Sequence, residues 1–416
     1  MKLGLTALAL AGLAPPNAPG ADSPGAEVGR CTRETVGSAV IEMRMARAVL
    51  LAPPPEGDGT LVPPAAGRRI EALKDRMRDF VRTMMACAPV SVEPAALAAA
   101  MEQRGGISEG TTGDAVPPPA DWHGSLAAFE VSRVEAHPDM LAVVATLAIK
   151  CGSDSMLILY RRTPSGWREA MVRRAEPYSE VRGGWGDLRF AVSPADSAGN
   201  WFVATVSTTP WCTSAWQGMP YELARPGPAP DRPRIFYKGK NTIYLGNESD
   251  LSLRAERDAF EIRHDGSSLD PDILIRRHVR RYSIAGESVS RVQPVAESVR
   301  DFADEWISSP WAEAKLWSGS HPGLAGAHAG LQSARYKILE GFASIRNCAG
   351  GATQVEIAGQ GGLGWFLLIR RSATGPWTME RVTRRRMARC NGPDTLKRGI
   401  GQGRIGFTPE PPPTSG

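Results

Sequence analysis

Lysine is scarce in this chain. Of 49 basic residues among 416, only eight are Lys, and an arginine excess alongside abundant Ala, Gly and Pro is what a GC-rich coding sequence produces. Long apolar runs are also missing. The longest beyond the N-terminus is Met140 to Ile149, half of the roughly 20 residues that a membrane helix needs, so it reads as a buried strand and no transmembrane segment is expected in the mature chain. The motifs that announce common chemistries are absent: HExxH, a GxSxG elbow set between a strand and a helix (the match at Gly106 to Gly110 falls in a glycine-rich linker block), GxxxxGK[ST], a helix-opening GxGxxG, a DxDxDG calcium loop and any CxxC pair. That removes the sequence-marked zinc proteases, nucleophile-elbow hydrolases, P-loop and dinucleotide-binding proteins, EF-hands and zinc or redox cysteine motifs, and it leaves enzymes without local signatures open. A net charge of +5 is too mild to argue for nucleic acid. No cofactor and no metal site are expected.

What is present begins with Met1, Lys2 and an uncharged apolar stretch from Leu3 to Ala14, followed by small residues and prolines to Ala21. This order is that of a bacterial-type signal peptide, so export to the periplasm or beyond is the expectation for a mature chain without residues 1–21. Proline- and glycine-rich blocks at 15–25, 52–67, 104–120 and 225–233 mark linkers or exposed loops. They divide the rest into a helical segment at 28–104, an antiparallel β domain at 121–293, an α+β domain at 294–398 and a tail at 399–416 too polar to pack.

The fold class expected is α+β, mainly antiparallel β. In the helical segment Ile70, Leu73, Met77, Phe80, Val81 and Met84 recur at three-and-four spacing, the stripe of a helix with one buried face. A looser pattern of Val36, Val40, Ile41, Met45 and Val49 predicts a first arm over 32–51, making a hairpin, and Pro94 to Gln103 predicts a short third helix. From Leu126 to Gln293, β-branched and aromatic runs separated by turns every eight to twelve residues predict ten to twelve strands in a sandwich, barrel or propeller. After Pro294 two short helices precede four strand-like runs. One internal echo links the halves: LYRRTPSGWREAMVRR at 159–174 resembles LIRRSATGPWTMERVTRR at 368–385. A duplicated module and reused strand-turn-strand grammar are equally good readings of so short a match.

Six cysteines, Cys31, Cys87, Cys151, Cys212, Cys348 and Cys390, are disulfide candidates in an exported chain. Cys31 opens the first helical arm and Cys87 closes the second, so an antiparallel hairpin brings them together. Cys151 and Cys212 fall at one edge of a meander, and Cys348 pairs with Cys390 by elimination, although the strand count puts these two at opposite sheet ends.

Chemistry-bearing candidates are few. Three histidines have a nearby carboxylate in sequence, Asp121 with His123, His137 with Asp139, and His264 with Asp265, spacings that arise by chance in surface turns. His321 and His328 lie in a glycine-alanine stretch without a third ligand for a metal. Aromatic density is greater: Trp185, Trp201, Trp211, Trp216 and Tyr221 crowd one part of the β domain. Exposed on a rigid sheet, Trp185, Trp211, Trp216 and Tyr221 would make a patch for a carbohydrate or an envelope protein; enclosed, they fill a core. The arginines at 276, 277, 280, 281 and 384–386 read as solvated strand faces, or as a polyanion patch. The functional expectation is an exported, envelope-associated binding protein without catalysis, and the alternative is a secreted or periplasmic hydrolase of an external polymer.

Overall fold

The computed structural model describes residues 33–50, 64–105, 125–149, 152–174, 188–209, 215–245, 251–269, 275–335, 339–372 and 375–396. The chain is mostly antiparallel β. Among the described residues sixteen strands form four sheets of four, and in each sheet the strand order follows the chain: β1–β4 (Ser125–Val134, His137–Ile149, Gly152–Thr163, Gly166–Arg174), β5–β8 (Leu188–Val192, Val203–Ser207, Trp216–Arg225, Arg234–Tyr244), β9–β12 (Ser252–Ala255, Ala259–Ser267, Ile275–Ala285, Ser288–Val292) and β13–β16 (Leu339–Asn347, Ala352–Gly359, Leu363–Arg371, Trp377–Thr383). Residues 125–292 thus carry twelve strands, within the expected range.

Among the described residues three helices precede the first sheet: α1 (Arg33–Leu50), α2 (Pro64–Cys87) and α3 (Pro94–Gly105). Pro64 and Pro94 occupy the first helical position, where a missing N–H costs nothing. All six residues of the α2 stripe are buried, and with Val36 and Met43 of α1 they pack on Phe129, Leu141, Val143 and Ile158 of the first sheet. On α1 the inward stripe is Val36, Val40 and Met43. Ile41 and Met45, expected inside, face outward at 59% and 66% exposure, because 100° per residue carries them off that stripe. Lys74 of α2 is also buried, its Nζ 3.0 Å from Asp154 Oδ2 on β3. The chain between α1 and α2, like Cys31, Cys151 and Cys212, lies outside the described residues.

The first sheet is covered on both sides, which explains the unbroken apolar run of β2: alternate residues Met140, Ala142 and Val144 face away from the helices, onto Trp201, Val203 and Ala224 of the second sheet. The second sheet in turn places Ala204, Val206, Met219, Tyr221 and Leu223 against Phe260, Ile262, Tyr282 and Ile284 of the third. Tyr221 and Tyr282 join hydroxyls at 2.7 Å across this layer. The first three sheets are therefore stacked face to face.

Three helices follow, α4 (Val299–Ser308), α5 (Trp311–Ala314) and α6 (Leu324–Ala334), and share a core with the fourth sheet through Phe302, Trp306, Leu331, Val355, Leu367 and Ile369. Ser298 caps α4 by accepting from the Asp301 amide. Helix α6 forms from the glycine-alanine stretch that holds His328, in addition to the two short helices expected after Pro294. Leu324, His328, Leu331 and Ala334 are its buried residues, a helical stripe in which a histidine holds an apolar position; His328 Nε2 lies 3.0 and 3.1 Å from the Trp306 and Ser309 carbonyls.

Beyond Thr383 the chain doubles back. Met387 and Cys390 pack with Cys348, Ala352 and Leu368 on the face of the fourth sheet opposite the helices, and Thr395 N donates to the Ile345 carbonyl at 2.8 Å. This return brings Cys390 to Cys348 in a disulfide. Opposite sheet ends and a bond between them are thereby compatible.

The echoed segments occupy equivalent places, the third and fourth strands of a meander preceded by helices. Arg162 faces Trp167 across β3–β4 as Arg371 faces Trp377 across β15–β16. Both ladders also slip by one residue at the matching point, after Leu159 and after Leu368. A shared β-bulge is a positional feature that generic strand-turn-strand grammar does not require, and it favours duplication.

Candidate functional site

A cavity of about 460 Å³ opens where the first and second sheets splay apart, lined by Arg161, Thr163, Arg168, Glu169 and Ala170 from one sheet and by Gly199, Asn200, Trp201, Arg225, Pro226 and Arg234 from the other. Its size falls in the range of small-ligand pockets. The side chains come from β3, β4, β7, β8 and the β5–β6 connection. That connection is built by Asp196, whose Oδ1 accepts from the amides of Ala198 and Asn200, each at 2.8 Å. The Asn200 hydrogen bonds hold the Asp196 carboxyl below its ordinary range. Gly199 takes φ 81°, a backbone state closed to most side chains, and the turn sets Asn200 and Trp201 at the rim and floor.

Four arginines dominate the lining. Arg161 Nε is 3.2 Å from Asp139 Oδ2 and its guanidinium lies 5.8 Å from the Trp201 ring centre. Arg225 donates to the Gly286 carbonyl at 2.6 Å and lies 4.7 Å over Phe236, while Arg234 pairs with Glu287 at 3.0 Å. Arg168 is exposed and has no carboxylate within 4 Å among the described residues. Among the described residues the only lining carboxylate, Glu169, is already held by Arg78 at 2.8 Å and Arg82 at 3.3 Å. Planar guanidiniums at this rim can take a carboxylate, sulfate or phosphate through paired N–H donors, with Thr163 and Asn200 beside them for hydroxyl groups.

A second concentration of charge is enclosed. The third-sheet face that carries Tyr282 continues into His278, Arg276 and Arg291, and there α4 covers it. Glu305 of α4 receives Arg276 Nη2 at 2.5 Å and Arg291 Nη2 at 2.6 Å, with His278 Nδ1 at 3.1 Å. Burial alone would raise the Glu305 carboxyl; Arg291 and Arg276 outweigh it and hold it well below the usual carboxylate range. Arg276 has no exposed side-chain surface, which corrects the solvated-face reading of this arginine run. Strand alternation divides the run: Arg276 turns inward, whereas Arg277 and Arg281 pair with Asp265 and Glu256 on the other face. The cluster has the chemistry of a structural joint between sheet and helix.

The residues singled out from sequence are scattered. Trp185 and Trp211 lie outside the described residues. Trp216 is half-buried, edge-on to Tyr244 at 5.1 Å, and Tyr221 is spent in the core between the second and third sheets. Trp201 reaches the cavity. His123 is outside the described residues; His137 bonds the Ser193 carbonyl while Asp139 pairs with Arg161; His264 turns to the Asp265 backbone, and that carboxylate goes to Arg277. Among the described residues no group of three His, Cys, Asp or Glu is placed to hold a metal ion, and no helix is long and apolar enough to cross a membrane. No protein-family model matches the chain, and no curated protein matches its sequence.

Proposed function

We propose that this chain is an exported, non-enzymatic binding module whose ligand is an acidic saccharide held in the cleft between the first two sheets. The observation that carries this reading is the convergence of Arg161, Arg168, Arg225 and Arg234 on one cavity floored by Trp201. Uronic-acid or sulfated sugars combine anions for the guanidiniums with hydroxyls for Thr163 and Asn200. The signal-like residues 1–21 and the Cys348–Cys390 disulfide support export, since disulfides persist in oxidising compartments. The same reading takes 28–104 as a helical segment, a hairpin closed by Cys31 and Cys87 plus a short third helix, and 294–398 as a separate α+β unit.

The hydrolase alternative draws on the His278–Glu305 contact, but both side chains are enclosed under α4 and the carboxylate is committed to two arginines. Calorimetric titration with oligogalacturonate and with an uncharged oligosaccharide of equal length tests the proposal. Saturable binding of the acidic chain alone is expected; equal binding of both, or of neither, contradicts it.

A further inference from the structure

We propose that the strap from Arg381 to Cys390 is a docking surface for a membrane that bears anionic phospholipids. This inference is independent of the cleft. The strap reads RVTRRRMARC, and between Arg381 and Pro393 there is no acidic residue. Arg381, Arg384, Arg385, Arg386 and Arg389 are all exposed, whereas Met387 and Cys390 turn inward onto Ala352 and Leu368. The far end is fastened by the Cys348–Cys390 disulfide and by the Ala349 amide donating to the Arg389 carbonyl at 3.0 Å.

The carboxylates nearby are occupied. Glu380 pairs with Arg370 at 2.5 Å, Glu356 accepts from Ser344 at 2.6 Å, and Asp394 accepts from the Ile345 and Leu396 amides. None lies within 4 Å of the five strap guanidiniums among the described residues. Arg384 rests 3.9 Å over the Trp365 ring, and two residues before Trp365, on the same strand face, Leu363 is 47% exposed.

Guanidiniums fixed on a backbone tied down at both ends lose little freedom on pairing with phosphates. Exposed Leu363, on the strand face of the ring that Arg384 covers, suits the boundary between headgroups and acyl chains. Single-stranded nucleic acid would instead call for exposed rings on which bases stack, and the strap has none. Polybasic segments gain affinity for anionic leaflets roughly additively, with steep salt dependence.

The test is co-sedimentation of the full exported chain with phosphatidylcholine vesicles that contain or lack phosphatidylglycerol. Binding is expected only with phosphatidylglycerol, and added salt should release it. Arg384→Gln/Arg385→Gln/Arg386→Gln/Arg389→Gln should weaken partitioning by roughly a hundredfold or more, and Leu363→Ser severalfold. Arg385→Gln/Arg389→Gln changes two side chains that make no side-chain hydrogen bond, ion pair or ring contact among the described residues, so it keeps the test valid if the fourfold variant fails to fold; it should weaken binding about tenfold or more. Equal binding to phosphatidylcholine alone, or unchanged binding by the folded double variant, would overturn the proposal. So would much stronger release from the vesicles by inorganic phosphate than by a chloride salt at equal ionic strength, which would mark a site for the free ion, or tighter binding to duplex DNA than to the vesicles.

Discussion

Glu305 accepts a hydrogen bond from Arg291 at 2.6 Å in a place where the two side chains are only 2% and 3% exposed. Arg276 shares the same carboxylate, and Arg291 also lies 5.1 Å from the Trp317 ring centre. Removing the acid would leave two buried cations short of a counter-charge. Glu305→Ala should therefore cost about 3 to 5 kcal/mol, whereas Arg281→Ala, which opens a pair with the half-exposed Glu256, should cost about 1 kcal/mol or less. Denaturant titration of the two variants distinguishes them, and equal midpoints would refute the account of this joint.

Acid should weaken the fold in two stages. Burial, with His278 and Arg280 adding to it, holds the His264 imidazole well below its ordinary value of 6.5, and burial with Arg276 lowers that of His278. The unfolded chain takes these protons first, so the stability they contribute is complete above pH 6.5 and falls as pH drops beneath it. Glu305 is depressed from 4.5; its contribution is present above that value and is lost below it. Thermal unfolding followed across this range should show a decline beginning near pH 6.5 and steepening under 4.5. His264→Gln/His278→Gln should flatten the first stage, and an unchanged profile would show that the imidazoles are not its source.

The Cys348–Cys390 bond closes a loop of 42 residues in sequence separation. In the chain-entropy description such a loop is worth about 4 kcal/mol. Cys348→Ser/Cys390→Ser should lower the unfolding midpoint accordingly and loosen residues 384–396 in hydrogen exchange. Non-reducing peptide mapping that joins either cysteine to another partner would contradict the pairing.

Much of the fold was legible because its physics is local. The Ile70 to Met84 stripe needs only helical periodicity, and the proline-rich block at 225–233 joins β7 to β8. Met140 to Ile149 announced a strand buried on both faces. Helix α6 was hidden because Gly326 and Gly330 weaken its local preference, and its buried stripe includes His328. The Arg276–Glu305 pair was illegible for another reason: its members lie 29 residues apart, and charge alone does not disclose which strand face a partner will cover. The cleft shares that difficulty. Its arginines come from four strands, and only stacking of two sheets makes them neighbours, so the aromatic density around Trp201 marked the region without marking the site.

Arg168 decides the functional account most directly, since it faces the cleft, is exposed and has no counter-charge among the described residues. Isothermal titration of oligogalacturonate into the parent chain and into Arg168→Glu should give saturable binding to the first and at least tenfold weaker binding, about 1.4 kcal/mol, to the second, with unfolding midpoints alike. Equal affinity in the two proteins would contradict the assignment of the cleft as the binding site.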